Sequence, residues 1–177
     1  AAFPAWSATS IDERKRVVNA IADVIQANAA ELAQLLTQEQ GKPIGDATGE
    51  IYGTAAFFRY FTSLDLPIEV LDDSPGRRVE AHRKPLGVVG AIVPWNFPLL
   101  MLAWKIAPAL AMGNTVVLKP SKFSPGTGQA LAELWDRCRL PRGIHSVALG
   151  QRNHPASEPQ KPEDLEMLAA LRHGAVV

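Results

Sequence analysis

A single cysteine, Cys138, stands in the 177 residues of the sequence. One thiol excludes an intrachain disulfide framework, fits a reducing, cytoplasmic compartment and leaves too few thiolates for a structural zinc site. The four histidines are scattered, so no metal cluster is expected. Surplus charge is missing as well, because 18 Lys and Arg balance 18 Asp and Glu. A neutral chain offers neither the basic face that nucleic acid needs nor the acidic excess of a solvating tail, so no nucleic-acid partner is expected. Long apolar runs are absent too. The longest, from Pro94 to Ala111, is interrupted by Pro98, Lys105 and Pro108 and falls short of the roughly 20 apolar residues of a bilayer span. No membrane partner and no targeting segment are expected, and the opening Ala1-Ala2-Phe3-Pro4, without a methionine, fits a start inside a longer protein. What is present is an ordinary globular composition, 47% hydrophobic and 20% charged, enough for a domain with a core.

Along the chain, Ser10 and Glu13 have the spacing of a capping box, and Val17, Val18, Ile21, Val24 and Ile25 behind them recur at helical intervals. Asn28 and Glu31 repeat the box ahead of Leu32, Leu35 and Leu36, which predicts a break near Asn28 rather than one unbroken rod. Gly41-Lys42-Pro43 closes that second helix. Asp46 is expected to cap a third, in which Ile51, Ala55, Phe58 and Phe61 share a core-facing side. Residues 1–65 therefore form a helical part.

Within residues 66–84 the period changes. Ile68-Glu69-Val70 and Val79-Glu80-Ala81-His82 flank the turn composition Asp72-Asp73-Ser74-Pro75-Gly76, predicting a β-hairpin. A two-stranded ribbon is barely stable alone, so it is expected to lean on another sheet or another subunit. In residues 85–150, the apolar run from Gly87 to Val93 reads as a strand buried on both faces. A helix built on Leu99, Leu102, Ile106 and Leu110 follows, ended by Gly113-Asn114, and Thr115-Val116-Val117-Leu118 is a second strand. A helix over about residues 126–139 leads to a third strand from Ile144 to Leu149. The β-α-β-α-β order predicts an α/β fold with a parallel sheet. Residues 151–177 change character: polar and proline-rich to Pro162, then a short helical stripe of Leu165, Met167, Leu168 and Leu171.

The chemistry is concentrated at two places. Pro94-Trp95-Asn96-Phe97-Pro98 follows the first buried strand, and Lys119-Pro120-Ser121 ends the second. Both lie at carboxyl ends of parallel strands, where strand ends and helix starts leave a crevice with free backbone donors. No G-x-G-x-x-G joins these strands to their helices, so on spacing alone cofactor binding and plain packing stand level.

The run from Arg83 to Leu99, with Pro94-Trp95-Asn96-Phe97-Pro98 at its centre, and the run from Ala107 to Ser121, with Gly113-Asn114-Thr115 and Lys119-Pro120-Ser121, closely resemble the aldehyde dehydrogenase superfamily. Phe3-Pro4-Ala5-Trp6, Gln40-Gly41-Lys42-Pro43 and the hairpin before Arg83 are also similar, so the resemblance covers about residues 1–150. It implies N-terminal helices, a hairpin resembling an oligomerisation arm, and part of a Rossmann-like cofactor domain. It also implies the family's chemistry: a cysteine thiolate attacks an aldehyde, the thiohemiacetal gives hydride to NAD or NADP, and a glutamate-activated water releases the acid. In these terms Asn96 is the oxyanion donor, since a carboxamide NH2 donates without titrating. Taken without the resemblance, an asparagine there caps the helix that follows. Ile92, Val93, Pro94 and Trp95 are placed beside the cofactor, with Lys119, Ser121 and Lys122 toward its adenosine ribose. The family often carries a glutamate where Lys122 stands; a cation in place of a carboxylate leans toward the 2′-phosphate of NADP. Phe97, Met101 and Trp104 resemble the tunnel that guides the aldehyde, with core packing as the plainer reading for Met101. Homo-oligomers are expected of the full-length family.

Three parts of the family pattern are not among these residues: a Gly-Ser-Thr turn near the cofactor phosphates, a glutamate in a Glu-Leu-Gly-Gly-Lys segment, and the nucleophilic cysteine. Cys138 lies at a helix end before Leu140-Pro141-Arg142-Gly143, and is expected to be a bystander although Arg137 and Arg139 adjoin it. After Gly150 the resemblance is expected to stop, which fits truncation, a shifted reading frame or a gene remnant. Two descriptions stand: a fragment of an NAD(P)-dependent aldehyde dehydrogenase, inactive by itself, or a non-catalytic module used for binding or assembly. A sheet of only three strands would expose an apolar edge.

Overall fold

The computed structural model describes residues 2–138 and 140–148. The expected tail at 151–177 lies outside the described residues, as does Leu149. Four helices come first: α1 (Phe3–Ala8), α2 (Ile11–Ala27), α3 (Ala29–Gln40) and α4 (Ile44–Ser63). The short α1 has no counterpart in the expected pattern. It is held by Trp6, which is buried and donates its indole N–H to the carbonyl of Leu110 at 3.2 Å.

Half of the first capping box forms. Ser10 Oγ accepts from the Glu13 N–H at 3.3 Å, but the Glu13 carboxylate turns to Arg16 at 2.6 and 2.8 Å. Hydrogen bonds from Arg16 hold the Glu13 carboxyl below its ordinary range. The break at Asn28 is present, yet its carboxamide donates back to the Val24 carbonyl at 2.7 Å, closing α2 instead of capping α3. Gly41 ends α3 in the left-handed region at φ 74°, as its role requires. α4 starts at Ile44 behind Pro43, so Asp46 sits inside the first turn rather than at the cap, where its charge still suits the helix dipole. Ile51, Ala55 and Phe58 are buried as expected. Phe61 is half-buried among the rings of Phe57 and Tyr60.

β1 (Glu69–Ser74) and β2 (Arg77–Ala81) form the expected antiparallel hairpin, turning at Gly76 with φ 83°. An irregularity between Val70 and Asp72 shifts the register at Leu71. The two strands pack chiefly on each other. Then come β3 (Val88–Ile92), α5 (Pro98–Ala111), β4 (Thr115–Lys119), α6 (Pro125–Arg137) and β5 (His145–Val147). The strands are parallel in the order β3-β4-β5, with Ile92 opposite Lys119 and Leu118 opposite Val147.

The core lies between this sheet and the helical layer. Val89, Ala91, Val116 and Leu118 point into it, α5 packs on β3 and β4, and α2 and α4 pack in turn on α5. Leu99, Leu102, Ile106 and Leu110 of α5 are fully buried, and each stabilises the fold by about 1.5–3 kcal/mol. Val117 faces the other way with Ala148 and Val88. β4 is therefore covered on both faces, as a continuous apolar strand should be. β3 departs from that expectation: its last residue, Ile92, is 46% exposed, because β3 is the sheet's edge and its second face is only partly covered. The α5–β4 turn is clasped from α2, where Arg14 donates to the carbonyls of Ala111 (3.0 Å) and Thr9. Gly113 makes room for it with φ 89°; a Cβ there would meet the guanidinium at 3.3 Å.

Candidate active site

At the carboxyl edge of the sheet, both helix starts are already occupied by protein carboxylates. Glu50 of α4, buried, accepts from the N–H groups of Leu99 (3.0 Å) and Leu100 (3.2 Å) in the first turn of α5. Its other oxygen receives the ammonium of Lys42. Lys42 Nζ also donates to the carbonyl of Asn96 at 2.7 Å and lies 4.0 Å from the centre of the Phe97 ring. At α6, Glu39 accepts from the N–H groups of Gly126 and Thr127 (2.9 Å for Thr127) and from the Thr127 hydroxyl. The expectation of free backbone donors at these helix starts is thus corrected. A phosphate arriving at either would meet a carboxylate where a nucleotide site needs bare N–H groups.

Neither Glu39 nor Glu50 had been singled out in the sequence. For Glu50 there was a signal: it falls at helical spacing on the face that buries Ala47, Ile51, Thr54 and Phe58. A glutamate on a core-facing stripe is almost never fully buried unless paired.

Asn96 sits in the bend between β3 and α5, exposed, and its carboxamide hydrogen-bonds to nothing among the described residues. It does not cap α5. The cap position is Phe97, which contributes no side-chain bond, and Glu50 takes over the capping. Pro94, Asn96, Phe97, Met101 and Trp104 come together around an open cavity of about 350 Å³, joined by Leu100, which the sequence reading missed. Leu100 stands one position before Met101 on the same helix, so helical spacing from Phe97 and Trp104 would have reached it. Trp104 is braced edge-on by Phe57 of α4 at 5.3 Å. Met101 is half-buried and serves both cavity and core.

The remaining residues gather outside the cavity. Ile92 is open and lies beside Lys119 in the parallel register. Val93 is buried and contributes through its backbone, donating to the Lys119 carbonyl at 3.1 Å. Trp95 is 51% exposed but does not line the cavity. Lys119 Nζ reaches the carbonyl of Pro120 at 2.9 Å. Ser121 Oγ accepts from the Phe123 N–H at 3.2 Å, shaping the bend after β4, and Lys122 is exposed with its ammonium 4.9 Å from the Phe123 ring. Ile92, Val93 and Lys119 thus share one strand-end platform, and Ser121 and Lys122 continue from it.

Cys138 is no activated thiol. Burial, followed by the nearby Asp23, pushes it up to about 11, and its Sγ faces the carbonyls of Leu134 and Ala20. Among the described residues no three His, Cys, Asp or Glu side chains gather in a way that could hold a metal ion. No helix among them is long and apolar enough to cross a membrane.

Comparison with known proteins agrees with this architecture. The model of the aldehyde dehydrogenase family matches residues 1–166, running past the Gly150 at which the sequence resemblance was expected to stop. The chain is 43% identical over 148 residues to the 3,6-anhydro-alpha-L-galactose dehydrogenase of Streptomyces coelicolor, covering 82% of this chain and 30% of that enzyme. It is 40% identical over 167 residues to the NADP/NAD-dependent aldehyde dehydrogenase PuuC of Escherichia coli, covering 93% and 34%. Among solved structures, PnpE in complex with nicotinamide adenine dinucleotide superposes with a TM-score of 0.81 at 43% identity, over 85% of this chain and 31% of that one. The chain therefore spans about a third of the length of the proteins it matches. By sequence and by fold, it belongs to the aldehyde dehydrogenase family.

Proposed function

We propose that this chain is the front part of an NAD(P)-dependent enzyme that oxidises an aldehyde to a carboxylic acid, and that Asn96 is its oxyanion donor. The observation that carries the reading is the uncommitted Asn96 carboxamide at the rim of an apolar cavity, on a bend whose backbone is anchored by Lys42. As a nucleophile adds to an aldehyde carbonyl, negative charge grows on its oxygen. An amide N–H donates to that charge without changing protonation state, and a preorganised donor acts where charge develops, not on the ground state. Phe97, Met101 and Trp104 supply polarizable walls for the organic part of the aldehyde. The reacting thiolate and the water-activating carboxylate belong to parts of the family pattern outside these residues.

The strand-end platform fits a dinucleotide. Open Ile92, Pro94 and Trp95 offer apolar surface to a flat ring, while Lys119, Ser121 and Lys122 offer donors toward ribose and phosphate. When bound, the dinucleotide supplies the hydride acceptor. Exposed Lys122 favours a 2′-phosphate, a lean toward NADP that equal affinity for both cofactors in the intact enzyme would sink. The enzyme works as a homo-oligomer in the cytoplasm on this reading.

The test is Asn96→Ala in the intact dehydrogenase carrying this segment. The expected result is a kcat lower by about 10²–10³-fold with cofactor KM little changed. An unchanged kcat would remove Asn96 from the chemistry. One observation favours a second, non-catalytic reading as an assembly module: Ile68, Val70 and Leu71 are 55, 47 and 65% exposed on a hairpin that packs chiefly on itself. Co-purification of this chain with an intact homologue, lost when the hairpin is deleted, would support it.

A further inference from the structure

We infer that Lys42 and Glu50 are positioning residues for Asn96. They clamp the peptide group of Asn96 and the first turn of α5 just beyond it, so that its carboxamide meets the carbonyl oxygen in one fixed orientation. The inference rests on the assignment of Asn96 as the oxyanion donor. Glu50 fixes the start of α5 by taking the N–H groups of Leu99 and Leu100, and Lys42 fixes the Asn96–Phe97 peptide by donating to the carbonyl of Asn96 itself. The two are bonded to each other, and the Phe97 ring lies against the same ammonium. Asn96 is thus held at its own carbonyl, and the turn that follows it by the partner of the same ion pair.

Capping alone does not call for such a unit. A serine or aspartate at the cap position would satisfy the first turn of α5 locally, without a buried charge from another helix. Nor does stability call for it, because a well-packed apolar pair of similar volume generally does as well as a buried ion pair. What the pair adds is a second bond, made to the backbone of the one residue whose orientation matters. Loss of about 1 Å of placement is enough to cost about 10²-fold in rate.

The test uses the intact dehydrogenase carrying this segment, with the paired substitution Lys42→Met and Glu50→Gln. Methionine keeps the stem, glutamine keeps an acceptor for the α5 N–H groups, and no lone charge is left buried. Expected is a kcat lower by about 10–100-fold, with aldehyde and cofactor KM within about twofold. Placed in an Asn96→Ala background, the same pair should cost less than about threefold more, since no carboxamide remains to be misplaced. An unchanged kcat, or the full loss repeated without Asn96, would overturn the inference. The two readings fail separately. If Asn96→Ala alone leaves kcat intact, both fall; if it costs its expected factor while the paired variant is silent, only the clamp falls. Should the paired variant not fold, Lys42→Arg keeps the charge while moving the donor. A kcat loss seen only when Asn96 is present then supports the clamp, and no loss overturns it.

Discussion

Helices α5 and α6 start on the same edge of the same sheet, and each is closed by a glutamate reaching over from the helical layer, yet the two closures are built differently. At α6, Glu39 hydrogen-bonds, among the described residues, only to the helix it caps: two backbone N–H groups and the hydroxyl of Thr127. At α5, Glu50 is fully buried, is paired with Lys42, and through it is tied to the bend that presents Asn96. One arrangement is a cap. The other is a cap joined to a site. The difference teaches that identical topology does not make identical positions: of the two junctions, among the described residues, the β3–α5 one carries the side chains that open into the cavity and the charged pair that holds the backbone.

The largest effect expected from breaking this contrast is on stability. Glu50→Ala strands the ammonium of Lys42, whose side chain is only 10% exposed, and leaves two N–H groups without their acceptor. The intact protein should lose about 3–5 kcal/mol in urea denaturation, the scale for removing one partner of a buried pair. A loss under about 1 kcal/mol would show that the pair is solvated, and would erase the distinction between the two helix starts. Glu39→Ala is the matched comparison. It removes a cap with no buried cation behind it, so the loss should be about 1–2 kcal/mol, read in the same denaturation experiment, with kcat unchanged.

How far the sequence foretold this depends on the range over which each interaction acts. The helix rhythm of Val17, Val18, Ile21 and Ile25, the apolar strands at β3 and β4 and the turn at Gly76 are local patterns, and the structure has them where the periods put them. Caps proved less legible. Asn28 bonds backwards to Val24 instead of forwards, and Asp46 lies inside its helix, since a polar side chain near a helix end has several backbone partners within reach. Phe97, Met101 and Trp104 were grouped through the family resemblance, and the structure adds Pro94, Asn96 and Leu100 around the same cavity, since they share one bend and one helix face. The clamp was not legible, because Lys42 and Glu50 are separated from Asn96 by 54 and from Leu99 by 49 residues, and nothing local announces such a meeting. No glycine-rich fingerprint stands at these helix starts in the sequence. What replaces it, a carboxylate at each, shows only in three dimensions.

The smallest effect is also the sharpest test of that replacement. If Glu39 keeps anions away from α6, then removing it should turn the helix start into what its dipole and bare N–H groups otherwise make it, an anion site. In the intact protein, sulfate should bind the parent no better at α6 than anywhere else on its surface. Glu39→Ala should gain a sulfate-dependent rise in melting temperature beyond the general salting effect seen in the parent. At a sulfate concentration about four times the dissociation constant the gain is about 1 kcal/mol. The same titration on the Lys42→Met and Glu50→Gln variant should show no such gain, because the glutamine carbonyl still fills the start of α5. Equal sulfate responses in all three proteins would mean that the carboxylates cap their helices without guarding them.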